Sequence, residues 1–431
     1  MSIKKYAEYA DGEGILAAAQ PFKKNFRFSP VCHTLVILFM VYYPYTIAVA
    51  SIYICSCFMY PTGKGGIIMK KILALLLAAV MTLSIFASCG ANEKQAYLNA
   101  LLKDTGFSGV VFVTKNGHTV CQTAKGVENS ETNQPITTDT KFCIGSVSKQ
   151  FAAAAILLLR QEGKLSVDED LTRFFPDYRY AKELTIRHLL DMRSGIREFY
   201  DVEYIDGAFT ELPTGELRGV ITNDNTAGEN RRLLEDWLLR QPLEFEPDSA
   251  FEYSNSNYFL LARIVEIVSG QSYSDFLREH IFEPLGMKHT TFIDDVDLFR
   301  HPHLAAPTVT PQTVYVGVTM GLGDMISNAH DIDRWLTSLR THALLTGESV
   351  EMMTTDYTDE YDECGEEENY GFGIRPYGEG LFHSGYFSTY LTMVYTDPKT
   401  GMNVFAVTND DINPNVSIPE LGWNLVDDLN V

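Results

Sequence analysis

Hydrophobic and polar positions alternate with one period near the ends of the chain and with another in its middle. GVVFVTKNGHTVCQTAKG (109–126) is two β-rich runs around Asn116-Gly117, the strongest short hairpin signal a sequence offers. After Ser146 comes FAAAAILLLRQEG, an apolar run that predicts a buried helix with Gly163 as its C-terminal stop. Helical stretches follow in LTIRHLLDM (184–192), ENRRLLEDWLLRQ (229–241) and NYFLLARIVEIVSG (257–270), and Asp331 to Leu339 predicts another short helix. From 370 to 410 the pattern changes. YGFGIRPY, STYLTMVYTD and MNVFAVTND read as strands, with TDPKTG as the turn between the last two. Strands at both ends and helices between imply an α/β (α+β) fold. Its antiparallel sheet is built from both chain ends and flanked by helices, with an inserted all-helical subdomain beside it. No linker or repeat interrupts residues 90–431, so one domain is expected, with an α/β part over about 93–183 and 320–431 and a helical part over about 184–319. A site between two such parts is a common arrangement.

Two apolar tracts precede this domain. Met69-Lys70-Lys71, the run ILALLLAAVMTLSIFA and Ser88-Cys89-Gly90 form a basic start, a short apolar core and a small-residue cleavage site, which predicts a signal peptide over 69–89. The ending FASC resembles the lipobox of bacterial lipoproteins, with Phe86 where Leu is usual. That resemblance implies lipidation of Cys89 and an anchor on the outer side of the bacterial cytoplasmic membrane; plain secretion is the alternative. Within residues 1–68, LVILFMVYYPYTIAVASIYICSCFMY is long enough to cross a bilayer. Read literally it is a membrane anchor. The preferred expectation is a spurious upstream extension, because Gly63-Lys64-Gly65-Gly66 can be encoded by a purine-rich ribosome-binding sequence just before Met69.

Charge narrows the partners. Of 34 Lys/Arg and 56 Asp/Glu, eight and three fall in residues 1–89. The remainder carries a net charge of about −27, which repels phosphate backbones and argues against nucleic-acid binding. The seven cysteines (Cys32, Cys55, Cys57, Cys89, Cys121, Cys143 and Cys364) contain no CxxC pair, so neither a zinc site nor a disulfide framework is expected. The acidic stretch DECGEEEN (362–369) fails calcium-loop spacing, since Gly371 stands where a Glu is needed. No metal or cofactor is expected.

Three short motifs carry chemistry. In SVSK, Ser146 and Lys149 lie one turn apart on one helix face, at an N-terminus that favours developing negative charge. A Lys there can help remove the Ser proton. Capping would explain the Ser, but not a Lys beside FAAAAILLL. FEYSNSNYFLL (251–261) places Tyr253 and Asn255 just before a buried helix. The Tyr253 phenol can act as a base only if a cation such as Lys149 lowers its pKa. LFHSGYFSTY (381–390) places His383-Ser384-Gly385 at the start of a strand, with Gly385 where a ligand backbone can approach closely. Two decoys match the same patterns: Tyr97-Leu98-Asn99 ahead of the Ser, and Lys399-Thr400-Gly401 in a turn after Asp397-Pro398. Cys143, one turn before Ser146, has no partner pattern and reads as a small buried residue.

With the motifs in this order, residues 93–410 resemble the serine β-lactamase-related family of class C β-lactamases, DD-carboxypeptidases, D-aminopeptidases and some esterases. LTIRHLLDMRSGI, FEPDSAFEYSNSNY, FEPLGMKHTTF and GLGDMISNAHDIDRW share in the resemblance. It implies a Ser146 acyl-enzyme, with Lys149 and Tyr253 sharing the proton work. It implies an oxyanion hole from the Ser146 and Tyr386 backbone N–H groups, and substrate contacts from Asn255, His383, Ser384 and Gly385. Class C β-lactamases usually have Lys where His383 stands, and class A enzymes have SDN where YSN stands. Hydrolysis of a small peptide, D-amino-acid or ester bond by an exported monomer is therefore ranked above β-lactam hydrolysis. A penicillin-binding sensor with little turnover is the other alternative.

Overall fold

The computed structural model describes residues 93–129, 132–205, 208–298, 300–308, 315–358, 369–410 and 413–429. Residues 1–68, the signal peptide expected over 69–89, Cys89 and most of the acidic stretch 362–369 lie outside the described residues.

Strands β1 (Gly109–Lys115), β2 (His118–Lys125), β3 (Arg375–Tyr377), β4 (Gly380–Phe387), β5 (Tyr390–Asp397) and β6 (Met402–Thr408) form one antiparallel sheet in the order β3-β4-β5-β6-β1-β2. The two ends of the domain are joined along β1 and β6, in register from Gly109↔Thr408 to Lys115↔Met402. The predicted β1–β2 hairpin turns at Asn116 (φ 52°) and Gly117 (φ 78°), the two left-handed residues that a type I′ turn requires.

The helices include α1 (93–101), α2 (Lys149–Gln161), α3 (Ile186–Leu190), α4 (Ala227–Leu238), α5 (Asn255–Ser269), α6 (Ala329–Thr341) and α7 (Ile418–Leu429). Strand alternation sorts them to the two faces of the sheet. Val111 and Val113 pack with Leu98 of α1 and Leu421 and Leu425 of α7. Val110 and Phe112 instead join the larger core that holds α2, α5 and α6. There Phe151 lies 4.4 Å from the Trp335 ring, and Trp335 Nε1 donates to Gln150 Oε1 at 2.7 Å.

Three local expectations need correction. The stretch 370–377 is strand only at Arg375–Tyr377. Before it the chain bends closely around α2: a Cβ on Gly373, at φ +71°, would stand 2.6 Å from the Lys149 carbonyl oxygen. The insertion is not helical throughout, because Tyr200–Ile205 and Ala208–Pro213 pair as a hairpin. Thr291–Phe292 also joins Phe142–Cys143 and Met325–Ser327 in a small sheet between the two parts. Finally, α4 starts at Ala227 rather than at 229, because Thr226 and Glu229 form a capping box ahead of it.

Candidate active site

The chain leaves the short strand Phe142–Cys143, passes Gly145 at φ +50°, makes a 3₁₀ turn over Gly145–Ser148 and continues as α2. Three residues per 3₁₀ turn set Ser146 and Lys149 in line. Ser148 secures this turn: its hydroxyl donates to Gly145 O at 2.7 Å and accepts from Met325 N at 3.2 Å. Lys149 is fully buried. Its Nζ donates to Ser146 Oγ at 2.9 Å, to Asn255 Oδ1 at 2.8 Å and to Leu322 O at 2.9 Å. An ammonium has three donors, and each has an acceptor here, so burial leaves none unpaired. Nζ also stands 4.9 Å from the Tyr253 ring centroid and 5.9 Å from that of Tyr258. The Ser146, Lys149, Tyr253 and Asn255 side chains are thus brought to one place.

The opposite wall is β4. An added Cβ on Gly145 would sit 2.5 Å from Tyr386 O and 2.7 Å from Tyr386 N. One on Gly385 would sit 2.0 Å from Ile144 O and 3.1 Å from Ser146 N. The two glycines let strand and turn nearly touch, and the amides of Ser146 and Tyr386 come into the same small volume. His383 is the fourth residue of β4, not its opening residue, and is 2% exposed. Its Nδ1 lies 2.5 Å from Ser384 O. A carbonyl can only accept, so Nδ1 carries the proton and Nε2 presents a lone pair. Nε2 is buried and has no hydrogen-bond partner among the described residues. Burial, with Arg375 and Lys149 nearby, pushes the imidazole down to about 3, so it is neutral at neutral pH. Half-buried Ser384 brings its carbonyl to the cluster, while the pleat turns its side chain to the face of β4 opposite His383.

Comparison with known proteins fits this geometry. The Beta-lactamase family model matches residues 95–421. The chain belongs to the beta-lactamase family. It is 28% identical over 290 residues to a putative penicillin-binding protein, PbpX, of Bacillus subtilis, covering 65% of each chain. Over 194 residues it is 34% identical to a D-aminopeptidase of Brucella anthropi, covering 45% of this chain and 34% of that one. The matched region thus spans between about a third and two thirds of these relatives' length. Among solved structures, D-amino acid amidase from Ochrobactrum anthropi SV3, complexed with L-phenylalanine, superposes with a TM-score of 0.63 at 25% identity. That match covers 79% of this chain and all of the amidase.

Two residues that sequence reasoning passed over stand in the site of this beta-lactamase-family protein. The Arg375 guanidinium lies over the rings of Tyr253 (5.8 Å) and Tyr370 (5.3 Å), so a cation borders the His383 pocket. Its only sequence signal was a lone Arg in an otherwise apolar and aromatic run. Glu198 follows the Ser194-Gly195 turn. Its Oε1 accepts from Phe199 N at 2.8 Å and Tyr200 N at 2.9 Å, and its Oε2 accepts from Asn255 N. Burial pushes the carboxyl up to about 7, against the pull of these donors and of Lys149.

Both decoys lie elsewhere. Tyr97 sits on α1 and bonds Asp428 of α7, in the layer covering the other face of the sheet. Lys399 and Thr400 form the β5–β6 turn, where the Asp397 carboxylate accepts from Lys399 N at 2.7 Å and from Thr400 N at 3.0 Å. That turn is six residues along β5 from Leu391, the partner of Tyr386, a distance of about 20 Å at the rise of a strand. Cys143 is fully buried and paired with Ile326, and burial pushes its thiol up, away from nucleophilic thiolate.

Proposed function

We propose that the protein is an exported serine hydrolase that opens an amide or ester bond through an acyl-enzyme on Ser146, with small peptides containing D-amino acids as the leading substrate class. The observation that carries this reading is the 2.9 Å bond between Lys149 Nζ and Ser146 Oγ, inside a site where every other Lys149 donor is also fixed. Ser146 Oγ adds to the substrate carbonyl while its proton passes to the deprotonated member of the coupled Lys149–Tyr253 pair, which enters the step holding one proton fewer than an ammonium plus a phenol. The pair returns that proton to the departing amine or alcohol. Water then repeats the sequence on the ester, releasing the acid and restoring the Ser146 hydroxyl. The N–H groups of Ser146 and Tyr386 receive the oxyanion, a role in which losing one donor lowers the rate by about 10²–10³. Asn255 and His383 line the substrate side with their side chains, Ser384 and Gly385 contribute backbone there, and no metal or cofactor enters any step.

The D-aminopeptidase and D-amino acid amidase relatives support the D-amino-acid class. The neutral His383 supports ranking β-lactam hydrolysis lower, because the imidazole adds no positive charge where class C β-lactamases usually carry a Lys, and Arg375 is left as the cation beside that pocket. Incubation with a fluorophosphonate, a penicillin, p-nitrophenyl esters and D-Ala peptides tests the reading, with Ser146→Ala as control. Wild type labelled at Ser146 and turning over an ester or peptide supports it. A penicillin adduct that persists without turnover favours the sensor alternative, and no labelling and no turnover overturns the enzyme reading. Export rests on the leader and on Cys89; a mature N-terminus that starts at Cys89 with an acyl mass increment supports the lipid anchor, and an unmodified N-terminus contradicts it.

A further inference from the structure

Asn255 touches both charges of the site's interior. Its side chain accepts from Lys149 Nζ at 2.8 Å, and its backbone N–H donates to the Glu198 carboxylate. Lys149 is wholly buried, and three neutral oxygens accept its protons. Such a cation needs a counter-charge nearby. Glu198 is the carboxylate that reaches it, through one residue. The α5 N-terminus also lacks a cap of its own, because Ser254 makes no capping bond and its Oγ is buried without a partner among the described residues. Glu198 takes that place from outside the helix, where a carboxylate meets both free N–H groups and the positive end of the dipole. Its other oxygen is tied to Phe199 N and Tyr200 N, so the carboxylate has little freedom to move. The neighbouring Arg197 faces away toward Glu216 (3.7 Å) and Glu244 (3.9 Å), which leaves Lys149 as the cation acting on Glu198.

We propose that Glu198 is a positioning residue for this hydrolase: its carboxylate clamps the first residue of α5, and through Asn255 it fixes the Lys149 ammonium against Ser146 and balances its charge. The inference rests on the Ser146 reading above. Protonation would remove the counter-charge and weaken the Asn255 N–H bond. With the carboxyl held up at about 7, the reactivity of Ser146 rises with pH through a limb near neutrality.

The test is the second-order rate of fluorophosphonate labelling at Ser146 from pH 5 to 9 in wild type, Glu198→Gln and Glu198→Asp. Folding is checked by thermal melts, and Ser146→Ala serves as blank. Gln keeps one acceptor but puts an NH₂ against N–H donors at the other end. The expected result is a fall of about 10–100-fold at pH 8, as for a modest misplacement of a reacting group, together with loss of the limb near pH 7. Glu198→Asp keeps the charge and is expected to recover part of the rate and retain the limb. A folded Gln variant with wild-type rate and profile overturns the proposal. Should the Gln variant not fold, a wild-type profile without the limb, or an Asp variant without it, overturns it equally. Labelled wild type with unaffected Glu198 variants sinks the Glu198 role alone, whereas unlabelled wild type removes the Ser146 reading beneath it.

Discussion

The two walls of the site differ in how complete they are without a ligand. On the α2 side every donor of Lys149 has an acceptor, and Ser148 ties the turn to Met325. On the β4 side, the buried His383 Nε2 has no hydrogen-bond partner among the described residues. Buried polar atoms are normally paired. The Lys149 cluster, satisfied without a ligand, is preorganised for chemistry, whereas the open lone pair of His383 is shaped for a donor that arrives. Side-chain substitutions in the first should therefore depress turnover and those in the second should act on substrate affinity, whereas a backbone shift of β4 that moves the Tyr386 N–H should act on turnover.

Lys149→Ala gives the sharpest break. It removes the partner of Ser146 and strands Asn255 Oδ1 and Leu322 O, and turnover should fall by about 10³-fold or more with little change in KM. Steady-state kinetics on any substrate found for the wild type checks this. Gly385→Ala comes next: a Cβ placed 2.0 Å from Ile144 O must push β4 off the turn. A loss of about 10²–10³ in kcat is expected from a displaced oxyanion donor, with destabilisation of about 1–3 kcal/mol from overpacking. His383→Ala should act mainly on KM, raising it about tenfold, the equivalent of about one hydrogen bond. A pure kcat loss there would erase the distinction between the walls.

The smallest effect concerns Asp324, a buried acid two residues from Leu322. Its Oδ1 has no partner among the described residues, and burial pushes it up to about 8. A carboxyl raised in this way contributes stability at pH values below its unfolded value near 4, and that contribution is lost as pH rises through about 8. Asp324→Asn should therefore melt a few degrees above wild type at pH 9 and show no such gain at pH 5, which calorimetry at the two pH values would read.

What the sequence disclosed follows from the range of each interaction. Asn116-Gly117 was legible because a two-residue turn is local chemistry. SVSK was legible because a Lys beside FAAAAILLL demanded a reason, and that reason is the set of three acceptors around Nζ. The clasp between Gly145 and Gly385 was not legible, since 240 residues separate two backbones that must nearly touch. Glu198 was equally hidden. Its partners are backbone amides, which leave no trace in residue type, and one of them belongs to Asn255 in another element. Arg375 disappeared into a run read as a strand, most of which bends instead around α2. The hairpin at 200–213 left only a faint signal, alternation in YDVEYI ahead of Asp206-Gly207, while AFTELP after it does not alternate and the span gave no readable pattern.

The chemistry proposed here turns on Lys149 activating Ser146. Intact-mass analysis of wild type, Ser146→Ala and Lys149→Ala after brief exposure to a fluorophosphonate addresses it most directly. A single adduct, mapped to Ser146, is expected to form in wild type, to be absent from Ser146→Ala and to be slowed by orders of magnitude in folded Lys149→Ala. An adduct on another residue, or equal rates in wild type and Lys149→Ala, would contradict it.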